Sequence, residues 1–441
     1  MIRLNELPAA QAASLIASGE ISAQALVQSC LDRIAERDRE VQAWAYLDPA
    51  YALHQAKDRD AAQRAGATLG ALHGVPVGIK DIIDTADMPT QHGCAMFKDN
   101  QPAQDAAVIS ALRQAGAVIL GKTVTTELAN NHPGKTSNPH NPAHTPGGSS
   151  SGSAAGVAAG MMPLALATQT GGSVIRPASF CGVHALKPTF GLIPRPGVLM
   201  QSHTLDTVGV YGRSVEDLAL ITDVLAGYDA RDPDSYPRGR ANLVSVSREV
   251  ITKPPRFAFV KSSVWDEGEP AMQAALTAFA KGLGGQCVDV ALPPIFTDAK
   301  AWHYMIMGAE DAKYYGPLMD RAPDLLSAAI KERLHAGRKV TAVEYLNAIA
   351  MRDVLYGEIA NILDQYDAML TPASAGPAPK GLGWTGNPAF NAIWTYLGVP
   401  CVTLPLLKAD GLPLGVQLVG KRREDGKLLR TAHWLDVRGA A

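Results

Sequence analysis

The stretch TPGGSSSGSAAGVAAGMMPLALATQTGGSVIRPASFCG, residues 145–182, decides how the rest of the chain is read. It holds two Gly-Gly-Ser corners, Gly147-Gly148-Ser149 and Gly171-Gly172-Ser173, with a small-residue helix predicted between them. Paired glycines before a serine permit tight turns with positive φ and let a ligand approach main-chain N–H groups. Such a corner can present a hydroxyl and build an oxyanion hole at the same time. Residues 147–175 carry no charge, which raises the question of a membrane span. Gly, Ser and Thr crowd both ends and Pro163 sits inside, so the apolar run falls short of the ~20 residues a spanning helix needs. A Gly/Ser-rich segment set among apolar neighbours in mid-chain reads as buried rather than as a linker.

Outward from this stretch, the first third reads as helical with one strand inserted. ISAQALVQSCLDRIAERD has Ser22 as its N-cap and Leu26, Cys30, Leu31 and Ile34 on one face. A second helix is expected over residues 50–66, and VPVGI (75–79) is a strand running straight into Lys80 and Asp81. RFAFV (256–260), QCVDVAL (286–292) and DAMLTPA (367–373) read as further strands with helices between them. LGVPCVTLPL (397–406) and LPLGVQLVG (412–420) form a late strand pair turning at Asp410 and Gly411. Strands separated by helices predict an α/β fold, a sheet covered on both faces. No repeat or flexible linker divides the chain, so residues 1–441 are expected to form a single domain.

One motif points elsewhere. GAVILGKT (116–123) satisfies the P-loop pattern, but its four middle residues are apolar and two are β-branched. A helix ending near Gly116 precedes it, so the order is helix, strand, GKT, the wrong context for a phosphate loop. It reads as a core strand, and no nucleotide cofactor is expected.

Composition narrows the function. Forty Lys plus Arg against 42 Asp plus Glu give a net charge of -2, which offers no footprint for nucleic acid or an anionic membrane. Five scattered cysteines form no CxxC pair, so neither a disulfide framework nor a zinc site is expected. The N-terminus lacks the basic and apolar regions of a signal peptide, so a cytoplasmic protein is expected.

A serine hydroxyl is a weak nucleophile at neutral pH and needs a base. None of the eleven histidines sits in a G-x-S-x-G elbow. Lysine can serve if burial lowers its pKa, and Lys80, at the end of an apolar strand, is the candidate. The competing reading pairs Lys80 with Asp81 or Asp84 as a structural ion pair, and periodicity does not choose between the two.

These residues resemble the amidase signature hydrolases. GVPVGIKD is similar to that family's lysine motif, PGGSSSGSAAG to its first serine motif and TQTGGSVIRPASFCGV to its second, followed by LKPTFGLIPRPG. LDTVGVYGRSVEDLALI (205–221) and LGVPCVTLP (397–405) extend the likeness over nearly the whole chain. The resemblance implies a Ser-cisSer-Lys triad on a mixed twisted sheet: Ser173 as nucleophile, Ser149 as proton relay after a cis peptide, Lys80 as base. The N–H groups of Thr170, Gly171, Gly172 and Ser173 would form the oxyanion hole, with no metal or cofactor. Ser150, Ser151 and Ser153 are expected to cap the intervening helix, Ser150 also steadying Lys80. His184 and His203 are expected to be structural, and Met161 and Met162 core. Two departures stand out: Gln169 where the family commonly has Asp, and Val174-Ile175 where it has Ile-Arg, with the arginine displaced to Arg176.

The implied function is hydrolysis of a small amide, with ester or carbamate as side activities. Two rivals remain. The family contains the glutaminase subunit of tRNA-dependent amidotransferases, against which this chain's shorter length counts. A non-catalytic module retaining the fold is the other, against which the joint presence of Lys80, Ser149 and Ser173 counts. AWHYMIMGAEDAKYYG (301–316) and GWTGNPAFNAIWTYLG (383–398) are aromatic-rich and could line an acyl pocket, fill the core or form a homodimer surface. If Trp302, Tyr304, Met305 and Trp394 face the site, a hydrophobic or aryl amide is favoured.

Overall fold

The computed structural model describes residues 3–237 and 242–439. Eleven strands make one mixed sheet: β1 (Trp44–Leu47), β2 (Pro76–Lys80), β3 (Val118–Thr123), β4 (Leu164–Gln169), β5 (His184–Lys187), β6 (Thr207–Gly212), β7 (Phe257–Val260), β8 (Cys287–Val290), β9 (Ala368–Pro372), β10 (Cys401–Ala409) and β11 (Leu412–Val419). Their order is β1-β3-β2-β4-β6-β5-β10-β11-β9-β7-β8. The pairs β3/β2, β2/β4, β9/β7 and β7/β8 are parallel and the others antiparallel.

Alternation along the strands sends side chains to two cores. Val118 and Leu120 of β3, Ala165 and Ala167 of β4 and Met369 of β9 face one; Ile119, Leu164, Leu166, Ala368 and Leu370 face the other. Helices cover both faces, because a sheet buried on both sides needs an apolar layer on each. Among the described residues no helix is long and apolar enough to cross a membrane.

The predicted helix after Ser22 spans Ala23–Val41, with Ser22 accepting from Ala25 N, and the next spans Pro49–Arg64. GAVILGKT is core strand: β3 runs through Lys122 to Thr123, and every residue of it is buried. Asp410 and Gly411 turn the β10/β11 hairpin, both with positive φ. Three readings need correction. The first third carries a strand beyond VPVGI and the GAVILGKT strand, the edge strand β1. Between the two Gly-Gly-Ser corners the helix is short, Ser151–Ala158, and is followed by β4. Beyond the second corner, β5 and β6 were not anticipated. LALATQ is alanine-rich and β-branched only at Thr168, so local propensity favours helix and the neighbouring strands override it.

Topology gathers the conspicuous residues at one edge. β2 and β4 are parallel neighbours, so their carboxyl ends, Lys80 and Gln169, emerge on the same side. β6 runs back against β4 with Thr207 opposite Gln169, which sets Asp206 beside the second corner. The crevice outside the carboxyl ends of parallel strands is where α/β sheets place their ligands.

Candidate active site

Lys80 ends β2 on the face opposite Ile79 and is wholly buried. Its Nζ donates to Ser149 Oγ at 2.6 Å and to Thr168 Oγ1 at 2.7 Å. Neither Asp81 nor Asp84 takes it; Asp81 instead pairs with Lys122, at 3.3 Å. Burial pulls the Lys80 amine down to about 7, with the Asp206 carboxylate opposing. An amine with that pKa is substantially neutral at physiological pH and can accept a proton.

Ser149 follows the first corner. Gly147 has φ 82° and the Gly148–Ser149 peptide is cis. A Cβ on Gly148 would lie 2.8 Å from the Thr385 methyl and 3.0 Å from that of Thr126, so the corner has no room for a side chain there. The helix that follows sits directly on the sheet, and a Cβ on Gly152 would meet Ala43 O at 2.1 Å, which is why this segment is built of small residues. Its serines do not cap it. Ser150 Oγ bonds Thr168 N and O, each at 3.3 Å; Ser151 Oγ donates to Gly147 O and Ser153 Oγ to Leu166 O, each at 2.8 Å. Ser150 therefore steadies Thr168, which in turn holds Lys80, rather than touching the lysine itself.

At the second corner neither Gly171 nor Gly172 has positive φ, and space alone requires glycine at Gly172. A Cβ on Gly172 would fall 2.5 Å from Asn391 Oδ1 and 3.0 Å from Arg176 Nη1, whereas one on Gly171 would meet nothing closer than 3.6 Å. The carbonyls of the turn are tied down: His303 Nε2 lies 2.8 Å from Thr170 O, and Thr395 Oγ1 donates to Gly171 O at 2.7 Å. Burial drops His303 to about 4, so it is neutral and its Nε2–H donates. Thr170 Oγ1 reaches Asp206 Oδ1 at 2.5 Å and Gln201 Oε1 at 2.9 Å. Burial raises Asp206 to about 6 against the hydrogen bonds from Thr170, Ser202 and Gln201.

Both departures from the family pattern have a structural place. Gln169 Oε1 accepts from Val174 N at 2.8 Å and Ile175 N at 3.0 Å, and its amide donates to Thr395 Oγ1. It satisfies two N–H groups at the start of the helix Ile175–Cys181 without a charge. Displaced Arg176 turns towards the first corner, donating from Nη2 to Gly148 O at 2.7 Å and from Nε to Thr385 O at 2.7 Å.

A cavity of about 90 Å³ opens against Gly171, Gly172, half-exposed Ser173 and Arg176. Of the four residues considered for an acyl pocket, Tyr304 alone lines it, joined by Met307 and Trp384. Trp394 is in the core, and Trp302 and Met305 are half-buried and pack against that core. Helical spacing explains the shift, since Tyr304 and Met307 share a face of the helix Ala299–Arg321 that Met305 does not. His184 pairs with Asp436 and His203 with Asp234, while Met161 and Met162 are fully buried. Thr168, Gln201, Asp206, His303, Asn391 and Thr395 escaped sequence reasoning; for Thr168 and Asp206 the signal was their place in TQTGGS and LDTVG, for the others there was none.

The amidase family model matches residues 25–429. The A subunit of glutamyl-tRNA(Gln) amidotransferase from Clostridium botulinum (strain Alaska E43 / Type E3) is 33% identical over 464 residues, covering 95% of this chain and 94% of that protein. Among solved structures, a chain from a vestigial protein complex described as revealing the origins of an s-triazine catabolic enzyme superposes with a TM-score of 0.91 at 28% identity, covering 98% of this chain and 99% of its own. The native peptide amidase from Stenotrophomonas maltophilia superposes with a TM-score of 0.84 at 28% identity, covering 99% and 97%. The chain belongs to the amidase signature family of amide-hydrolysing enzymes.

Proposed function

We propose that the chain hydrolyses a small amide through an acyl-enzyme on Ser173, with Ser149 as proton relay and Lys80 as general base. The observation that carries this reading is the buried Lys80 amine, 2.6 Å from Ser149 Oγ and, among the described residues, in contact with no carboxylate. Neutral Lys80 takes the Ser149 proton as Ser149 takes that of Ser173, and Ser173 Oγ bonds to the acyl carbon. With the Thr170 and Gly171 carbonyls anchored on His303 and Thr395, the N–H groups of Thr170, Gly171, Gly172 and Ser173 are the donors for the oxyanion. Losing one such donor costs roughly 2.7–4 kcal/mol. Collapse breaks the C–N bond, the proton returns through Ser149 to the departing ammonia or amine, and water releases the acid. No step calls for a cofactor; esters and carbamates are the expected side substrates.

The test is turnover of an amide, ester and carbamate panel by the purified chain and by Ser173→Ala, with intact mass after a fluorophosphonate probe. Turnover and an adduct that both vanish in the variant support the reading. No adduct on the wild type refutes it.

A second reading, the glutaminase subunit of a tRNA-dependent amidotransferase, is favoured by the curated relatives. The match spans 94% of that protein, so chain length does not separate the two readings. Turnover without a partner does, and supports the stand-alone enzyme. The binding-module reading gives way to the enzymatic family. A strand set joined in one sheet supports a single domain over residues 1–441, the near-neutral charge supports an enzyme that binds neither nucleic acid nor membrane, and a cytoplasmic location remains part of this reading. Sedimentation of the purified chain tests a homodimer, for which exposed Val343, Leu346 and Val354 on the helix Ala342–Leu363 are the candidate face.

A further inference from the structure

The N–H groups of Gly171, Gly172 and Ser173 make no hydrogen bond among the described residues, while the next two, of Val174 and Ile175, both donate to Gln169 Oε1. Gln169, a wholly buried side chain, therefore draws the boundary between free and spent donors at the second corner.

Those two donors also fix which way the Gln169 amide points. A backbone N–H can meet only the amide oxygen, so Nε2 is the atom that faces Thr395 Oγ1, at 2.9 Å. An amide N–H gives and does not accept, so the Thr395 hydroxyl must take this bond and keeps its one proton to donate. Two carbonyls are in reach, Gly171 O at 2.7 Å and Asn391 O at 3.1 Å, and the shorter contact is the one to the turn. In a trans peptide the C=O of one residue and the N–H of the next point in opposite directions. Drawing Gly171 O onto the helix Ala389–Tyr396 thus turns Gly172 N–H towards the cavity that Gly172 lines. A carboxylate in place of the amide could accept from Val174 and Ile175 N–H but would have nothing to give Thr395. The hydroxyl would then spend its proton on the carboxylate and release Gly171 O, which is what separates Gln169 from the aspartate common in the family.

We propose that Gln169 is a positioning residue: through a one-way chain of hydrogen bonds, from its amide to the Thr395 hydroxyl to the Gly171 carbonyl, it aims Gly172 N–H at the oxyanion. The inference deepens the serine hydrolase reading and rests on Ser173 as nucleophile. A neutral side chain at this place also keeps negative charge away from the turn on which the oxyanion would develop.

The phosphoryl oxygen of a fluorophosphonate takes the place of a substrate's oxyanion, so the rate at which the probe modifies Ser173 reads the aim of these donors whatever the substrate. Gln169→Glu, close in shape, should slow adduct formation by about 10-fold or more in protein that thermal unfolding shows to be folded. Should that variant not fold, Gln169→Asp takes its place. Thr395→Val should slow the reaction as much, whereas Thr395→Ser, which keeps the hydroxyl, should stay within about three-fold of wild type. The double variant Gln169→Glu, Thr395→Val should lie within about two-fold of the slower single variant, because both changes break one chain. Effects that multiply would mean that Gln169 acts other than through Thr395, and equal rates for Thr395→Val and Thr395→Ser would mean that the hydroxyl only fills space; either overturns the proposal. A wild type that forms the adduct, with variants reacting at its rate, refutes the inference and leaves the hydrolase reading standing. A wild type that forms no adduct takes both down.

Discussion

Lys80 and Lys122 are the same residue on neighbouring strands, one register step apart, and both are sealed from water. They have opposite surroundings. Lys122 donates to Thr90 Oγ1 at 2.5 Å and Pro89 O at 3.2 Å and pairs with Asp81 at 3.3 Å, so its charge is matched. Lys80 contacts two hydroxyls and, among the described residues, no carboxylate. Burial alone lowers both amines, and what separates them is the counter-ion: matched, the lysine is a structural cation; unmatched and bonded to a serine, it is suited to be a base. The sheet keeps the two apart, because Lys80 faces the layer that carries Ser149 while its strand neighbour Ile79 faces the other core.

The largest expected effect breaks this comparison by exchange. Lys80→Met should lower kcat by about 10⁴-fold or more, with Tm unchanged or raised, since an apolar chain of similar volume replaces a buried amine that was costly to neutralise. Lys122→Met should do the reverse, costing roughly 3–5 kcal/mol by stranding the Asp81 carboxylate while leaving kcat of the folded fraction within a few-fold. Chemical denaturation and active-site titration together check it. Equal loss of activity in both variants would erase the distinction.

Next is the pH dependence. Because the base must be neutral, kcat/KM should rise with pH through about 7, the value to which burial brings Lys80, and level off above it. Stability carries the same signature. Between about pH 7 and the ordinary lysine value near 10.5, the unfolded chain holds a proton that native Lys80 has lost, so the unfolded state binds more protons and stability rises with pH. Below pH 7 both states are protonated and the destabilising effect is full. Lys80→Met should remove this contribution to the slope of stability against pH; a wild-type kcat/KM profile flat from pH 6 to 9 would exclude the lysine as base.

Asp206 sharpens the comparison by a smaller amount. It is the carboxylate that raises Lys80 against burial, from a distance rather than by contact. Asp206→Asn should therefore shift the acid limb of kcat/KM to lower pH, by up to about one unit. It should also cost about 10-fold in rate, because Thr170 loses a charged acceptor at the turn proposed to hold the oxyanion. An unmoved limb would show that Asp206 only holds the turn.

How much of this was legible depended on whether a partner lay nearby in sequence. β2, β7, β9 and the β10/β11 hairpin announce themselves by apolar, β-branched runs and turn residues. β4 did not, because LALATQ becomes a strand only between β2 and β6. The two serines and Lys80 could be picked out from their glycine corners and strand end, but the choice between base and ion pair could not, since it turns on which face of β2 the amine occupies. His303 and Thr395 lie 133 and 224 residues from the turn carbonyls they hold, and no local pattern marks them. The pocket aromatics failed for a similar reason: composition named the right segments, and only the packing of the helix Ala299–Arg321 selected Tyr304 and Met307.

The finest test uses a third buried lysine. Lys187, at the end of β5, resembles Lys80 in having no carboxylate in contact among the described residues and in being lowered by burial. Its Nζ, however, donates to Val399 O at 2.5 Å and Pro188 O at 3.1 Å. Carbonyl oxygens accept but carry no proton to pass, so a lysine so held can clamp loops and cannot begin a relay. If an unmatched buried charge were enough to make a base, Lys187 would be as chemically active as Lys80; if the hydroxyl partner is what matters, it is inert. Lys187→Met should then leave kcat/KM within about three-fold and its pH profile unmoved, while lowering stability by ~1–3 kcal/mol through two unsatisfied carbonyls. A shifted pH profile in this variant would mean that the titration seen in the wild type does not belong to Lys80 alone.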